Sequence, residues 1–238
     1  IAGKYFHVPV YMLLGGKCRD KVRVYNHTAG RTEEELIENA VKGVEEGYTA
    51  LGHLNPYLDE PRTKAYEDGN AAMLYKAEQR IAKIREAVGQ EVDLCLELHR
   101  RLEPGLAVQL SARLEPYNPM FLEDPIRPDN FDAMGQVAGR CRIPIATGER
   151  IHTVHEFEML LERGACSYVR ASLGVCGGFT GAKKIAAVAE AHHASLVPHN
   201  PLSPVMTNAV LNFAAATDNI AICEYPNPYA ASTADHLT

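Results

Sequence analysis

The chain lacks any basic run. Its 24 Lys and Arg stand against 30 Asp and Glu, for a formal charge of −6, so neither nucleic acid nor an anionic membrane is expected as a partner. No apolar stretch reaches the ~18 residues that a membrane span needs, and no signal peptide opens the sequence. Six cysteines are present without a CxxC pair, which argues against a zinc site or a disulfide framework. Cys95 and Cys223 fall inside apolar runs, and buried thiols in a reducing cytoplasm are the expectation. A glycine-rich phosphate loop after the first strand is missing too, which weakens an open doubly wound nucleotide-binding sheet as the architecture.

What remains is the composition of an ordered globular protein, 46% hydrophobic and 23% charged, with 18 Gly and 14 Pro as punctuation. A length of 238 residues suits one closed barrel of roughly 250 residues. Residues 1–20 read as the end of a helix, Ile1-Ala2-Gly3-Lys4, and a turn, Leu13-Leu14-Gly15-Gly16-Lys17. Strands are expected at 22–26, 49–53, 94–99, 120–125, 144–149, 167–171, 195–199 and 220–224, with a helical pattern in each gap. Thr32 with Glu35, and Thr153 with Glu156, are capping boxes. Leu74, Ala77, Ile81, Ile84 and Val88 form the apolar face of a helix over 71–88 that Gly89 stops. Pro104 and Ser203-Pro204 open two more helices, and a further one is expected over about 129–137. Gly177-Gly178 reads as a tight turn, with phosphate binding at the next helix as the alternative. Eight strands alternating with helices make the fold class α/β, a (β/α)8 barrel, with chemistry expected at the carboxyl ends of the strands.

Three acids stand at those ends. Glu97, Glu123 and Glu149 each follow a short apolar run, and the steps from 97 to 123 and from 123 to 149 are equal at 26 residues, one strand-plus-helix unit. Carboxylates converging at one rim repel, and a hard divalent cation relieves that repulsion. Mg²⁺ is the expected ion, with Mn²⁺ as the alternative, because it takes few protein carboxylates and keeps positions for substrate oxygens. His99 and His199 bracket the place where a substrate carbon would lie. An ion on both oxygens of a substrate carboxylate eases removal of the adjacent proton by stabilising an enediolate. His199 is the expected base and His99 the acid for a departing β-hydroxyl, with Glu224 a hydrogen-bonding partner of the enediolate. His152, His155, His192 and His193 read as surface residues.

Taken in order, Leu13 to Asp20, Glu97-Leu98-His99, Leu114-Glu115-Pro116-Tyr117, Phe121-Leu122-Glu123-Asp124-Pro125, Ile145 to Arg150, Cys176-Gly177-Gly178, Pro198-His199-Asn200 and Cys223-Glu224-Tyr225 cover nearly the whole chain. Together they resemble the barrel domain of the enolase superfamily, in the mandelate racemase/muconate lactonizing enzyme-like branch that contains galactonate and mannonate dehydratases. That resemblance implies Glu97, Glu123 and Glu149 as Mg²⁺ ligands, His99 as acid, His199 as base and Glu224 as the enediolate partner. It implies a lyase that removes water from an aldonate-type sugar acid to give a 2-keto-3-deoxy acid, a cytoplasmic enzyme of small-molecule metabolism that assembles as a homo-oligomer. It also implies that residues 1–20 are the end of the α+β capping domain and a linker, with 21–238 the barrel, so that the cap is largely absent from this chain.

Two residues depart from the pattern. Glu97 stands where the dehydratases usually have Asp, one methylene longer. Ser172, in Arg170-Ala171-Ser172, stands where galactonate-type enzymes have the Asp that orients the base histidine. The Arg-x-Ser pattern is closer to mannonate dehydratases and starvation-sensing relatives, whose base comes from the loop after strand two; here that loop offers Tyr57, Arg62 and Tyr66. A racemase or epimerase using the same enediolate, and a barrel that binds ligand without turnover, are the alternatives.

Overall fold

Local chemistry decides where the helices begin. Thr32 Oγ1 accepts the Glu35 N–H at 3.2 Å and Glu35 Oε2 accepts the Arg31 N–H at 2.9 Å, opening α3 (Glu33–Glu45). The Thr153/Glu156 box closes reciprocally, with Glu156 Oε2 taking the Thr153 N–H at 2.8 Å, ahead of α7 (Val154–Glu162). A computed structural model describes residues 1–57, 69–201 and 203–226, and it divides into two compact units. Arg62 and Tyr66, named above in the loop after strand two, lie outside the described residues.

The first unit comprises Tyr25–Thr147 and Arg163–Cys166. Here β1 (Val24–His27), β2 (Ala50–Leu54), β3 (Asp93–Glu97), β4 (Phe121–Glu123) and β5 (Ile145–Thr147) pair in parallel, each with the next. Between them run α3, α4 (Asn70–Val88), α5 (Pro104–Leu114) and α6 (Phe131–Ala138). The buried face of α4 is Leu74, Ala77, Ile81, Ile84 and Val88, as the 3.6-residue period requires, plus Arg85. Asn130 caps α6, its Oδ1 accepting the Ala133 N–H at 2.9 Å, so the helix expected from about 129 begins at Phe131. Close packing fixes Gly52 in β2: a Cβ there would meet the buried Tyr25 ring at 2.1 Å.

The second unit comprises Ile1–Val24, Gly148–Glu162 and Ser167–Thr238. It opens with two short helices, α1 (Ala2–Phe6) and α2 (Val10–Leu13), of which only the first was foreshadowed, and a turn at Gly15 and Gly16, both with positive φ. Then come α7, β6 (Tyr168–Val169), α8 (Gly178–Ala191), β7 (Ser195–Leu196), α9 (Pro204–Ala215) and β8 (Cys223–Tyr225). β6 and β7 are parallel. Gly177 and Gly178 both take positive φ and make the tight turn ahead of α8.

Several strands are shorter than their apolar runs, for identifiable reasons. β5 stops at Thr147 because Gly148 turns the chain at φ 136°, so Glu149 sits on the loop beyond the strand. Pro198 has no N–H to donate, which ends regular pairing of β7, although Val197 and His199 still donate to the carbonyls of Val169 and Ala171. Ile220, expected in the last strand, makes one bridge to Leu196, and β8 proper starts three residues later. Among the described residues, no helix is long and apolar enough to cross a membrane.

Candidate active site

In the first unit, Glu97 and Glu123 end adjacent strands and are Cα partners in the β3–β4 ladder. Both are buried, each 2% exposed. Two carboxylates in register at that depth repel unless a cation or a proton intervenes. Glu97 also shapes its own loop: its Oε1 accepts the His99 N–H at 2.6 Å. This holds His99 and Arg100 in the left-handed region, at φ 50° and 62°, where non-glycine residues are uncommon. Asp124, at φ 42°, is fixed from both sides, by Arg100 Nη1 at 2.6 Å and by the Thr147 hydroxyl at 2.6 Å.

Around His99 lies an array that the sequence did not single out. His27 on β1 stacks on His53 of β2 with centroids 4.9 Å apart, and His53 meets His99 edge to face at 4.9 Å. The ligand atoms of His53, Glu97 and His99 all lie within 4.8 Å of one another. His53 stands near the end of a strand whose neighbours are almost wholly apolar, and that placement is the signal by which it could have been found. Tyr57, the described member of the candidate set after strand two, lies 6.0 Å below the Arg101 guanidinium.

In the second unit, Glu149 Oε2 and His199 Nε2 are 2.9 Å apart, with side chains 9% and 17% exposed. The other imidazole nitrogen, Nδ1, is buried with no hydrogen-bond partner among the described residues, and so is Ser172 Oγ. Extending the β6–β7 register of Val169 with Leu196 places Ser172 opposite His199. Both orphaned polar atoms therefore belong to residues at one level of the strand pair.

Glu224, on β8, is held from two directions. Arg170 Nη2 donates to its Oε2 at 2.7 Å and the Asn200 N–H to the same oxygen at 2.7 Å, while Asn200 Nδ2 reaches the Glu224 carbonyl at 3.1 Å. The Arg170 guanidinium, 1% exposed, also donates from Nη1 to the Val197 carbonyl at 2.9 Å. In the sequence Arg170 stands out only within Arg170-Ala171-Ser172; its partnership with Glu224 spans 54 residues and has no local signature. Beside this pair, burial pushes the Cys223 thiol up to about 12, so it takes no part as a nucleophile. His152, His155 and His193 are exposed, as expected, whereas His192 is half-buried and meets Glu158 at 3.3 Å.

Comparison with known proteins covers almost the whole chain. The family described as Enolase C-terminal domain-like matches residues 35–238. A D-galactonate dehydratase of Ralstonia pickettii is 35% identical over 212 residues, 89% of this chain and 54% of the relative. A D-galactonate dehydratase of Pectobacterium atrosepticum is 33% identical over 224 residues, 94% of this chain and 57% of the relative. The chain thus spans about half the length of these curated relatives. The crystal structure of a mandelate racemase/muconate lactonizing enzyme-like protein from Roseovarius sp. TM1035 superposes with a TM-score of 0.87 at 35% identity, over 94% of this chain and 59% of that one. The fold class expected from the alternation of elements, an α/β (β/α)8 barrel domain, is the one these matches share.

Proposed function

Because this chain belongs to the Enolase C-terminal domain-like family, we propose that it is the barrel of a Mg²⁺-dependent sugar-acid dehydratase acting on a small aldonate-type molecule. The observation that carries this reading is the buried, in-register pair Glu97 and Glu123 at the ends of β3 and β4. Two D-galactonate dehydratases among the relatives support the substrate class.

Glu97, Glu123 and Glu149 would hold the ion; an all-carboxylate donor set fits a hard cation such as Mg²⁺. Bound there, it would supply positive charge to the oxygens of the substrate carboxylate while the adjacent C–H bond breaks. His199, whose Nε2 lies 2.9 Å from Glu149 Oε2, takes that proton. His99, held by the turn on Glu97, gives a proton to the departing β-hydroxyl, and the product is a 2-keto-3-deoxy acid. Glu224, clamped by Arg170 and Asn200, completes the polar set.

A second reading is favoured by one observation. With Ser172 at position 172, His199 Nδ1 has no orienting partner among the described residues, which suits a barrel that binds a sugar acid without turning it over. Incubating the full-length protein with Mg²⁺ and a panel of aldonates, and assaying for 2-keto acid, separates the two. Dehydration is expected for at least one aldonate, and Glu123→Gln should abolish both the product and the rise in unfolding midpoint on adding Mg²⁺. Intact Mg²⁺ binding without product from any aldonate would establish the binding reading instead.

A further inference from the structure

The three-glutamate set does not account for the imidazoles beside it. We propose that His53, His99 and Glu97 form a second metal site, selective for a borderline divalent cation, with Zn²⁺ as its occupant. The ligand atoms lie within 4.8 Å of one another. Tetrahedral coordination at about 2.0–2.1 Å sets ligand atoms roughly 3.4 Å apart. The two imidazoles that would close the difference, His53 and His99, are half-buried rather than locked in the core.

The backbone supports this placement. His53 and His99 both sit in the left-handed region, at φ 56° and 50°, and their rings meet at an interplanar angle of 73°. An edge-to-face pair differs from the parallel stack of His27 on His53, at 13°, in letting two ring nitrogens converge on one point. Glu97 is oriented by the His99 N–H on its Oε1, and an ionised carboxylate retains acceptor capacity beyond that one bond.

Donor chemistry then decides the metal. Two imidazole nitrogens and one carboxylate suit Zn²⁺, whereas Mg²⁺ prefers oxygen throughout. Three protein ligands leave a fourth position for water or a substrate oxygen. His99 is the acid of the proposed reaction, and Zn²⁺ on its ring nitrogen keeps that nitrogen from carrying a proton, so Zn²⁺ inhibits. That inhibition rests on the dehydratase reading; the binding does not.

The test uses the full-length protein, stripped by a chelator and titrated calorimetrically with Zn²⁺ and, separately, with Mg²⁺. His53→Gln is expected to weaken Zn²⁺ binding by at least ~10-fold while leaving Mg²⁺ affinity unchanged. His152→Gln, at an exposed histidine, should alter neither. X-ray absorption at the zinc edge of the wild-type complex should show outer-shell scattering from two imidazoles, and this measurement decides the matter even where His53→Gln fails to fold. Equal Zn²⁺ affinity in wild type and His53→Gln, or a zinc spectrum without imidazole scattering, overturns the proposal. Zinc binding by a protein with no dehydratase turnover would remove the proposed function and leave this site standing.

Discussion

Replacing Arg170 by methionine tests whether the second unit is held together by a buried ion pair. Arg170 and Glu224 are 1% and 2% exposed, with Nη2 and Oε2 2.7 Å apart. Arg170→Met keeps most of the apolar stem but removes the cation, so Glu224 retains the Asn200 N–H and loses its counter-charge, and the Val197 carbonyl loses a donor at 2.9 Å. Removing one partner of a buried pair costs about 3–5 kcal/mol, a large share of a total stability of about 5–15 kcal/mol. For a chain of this length that corresponds to a drop in Tm of roughly 6–20 °C. Glu224→Gln alone should also destabilise, but Arg170→Met/Glu224→Gln removes both charges together. Its cost should fall short of the sum of the single costs by at least ~2 kcal/mol. Urea unfolding of the four full-length proteins, followed by circular dichroism with the slope checked for constancy, measures that coupling. Strict additivity, or a loss below ~1 kcal/mol for Arg170→Met, would refute the reasoning.

Gly52→Ala would drive a Cβ to within 2.1 Å of the Tyr25 ring; it should lower stability by about 2–3 kcal/mol, while Gly105→Ala in α5, with nothing within 4 Å, should raise it by about 0.4–1 kcal/mol in the same thermal melts. Burial pushes the Cys166 and Cys223 thiols up to about 12, so a thiol reagent at pH 8 should label exposed Cys18 quickly and these two only on unfolding. Below the ordinary thiol pKa both folded and unfolded states hold these protons; between about 9 and 12 the unfolded chain ionises first. Stability should therefore fall with rising pH by about 1.4 kcal/mol per unit for each of the two thiols, and urea midpoints at pH 8 and 10 that coincide would contradict this. Ser172→Asp should supply the missing partner of His199 Nδ1 and raise kcat/KM for the active aldonate by ~10–100-fold; steady-state kinetics showing no gain would remove Ser172 as the restraint.

Helices were legible because their signals are local. The boxes at Thr32 and Thr153, the cap and first-turn proline at Ser203-Pro204, and the run from Pro104 to Leu114 each depend on contacts within a few residues, and each is found where expected. Strand ends were less legible because a period of two says where a run is apolar, not where its ladder stops. Gly148 and Pro198 stop theirs through conformation and through a missing donor, so β5 ends two residues short of Glu149 and β7 three short of His199. Arg85 shows the same limit in a helix. Its guanidinium is buried because the carbonyls of Gly89, Val92, Tyr117 and Asn118 surround it, and two of those acceptors lie some thirty residues away.

The candidate site divides along the same line. Glu97 and Glu123 could be matched from spacing alone, since equal strand-plus-helix steps put equivalent positions side by side in a parallel ladder, and they are Cα partners. Their proximity is imposed by backbone pairing and needs no side-chain selection. Glu149 is different: it reaches His199 from a loop that turns at Gly148, where a Cβ would meet the Phe157 ring at 2.7 Å. Its position is a product of packing, and equal spacing in the sequence does not by itself determine it. The roles of His53 and Arg170 were harder to read for a related reason, since an imidazole in an apolar strand and an arginine in another acquire them only from groups dozens of residues distant. The residues that position charge are thus those whose partners the chain brings from afar, and the carboxylates that repeat are the part of the candidate site that spacing can reveal.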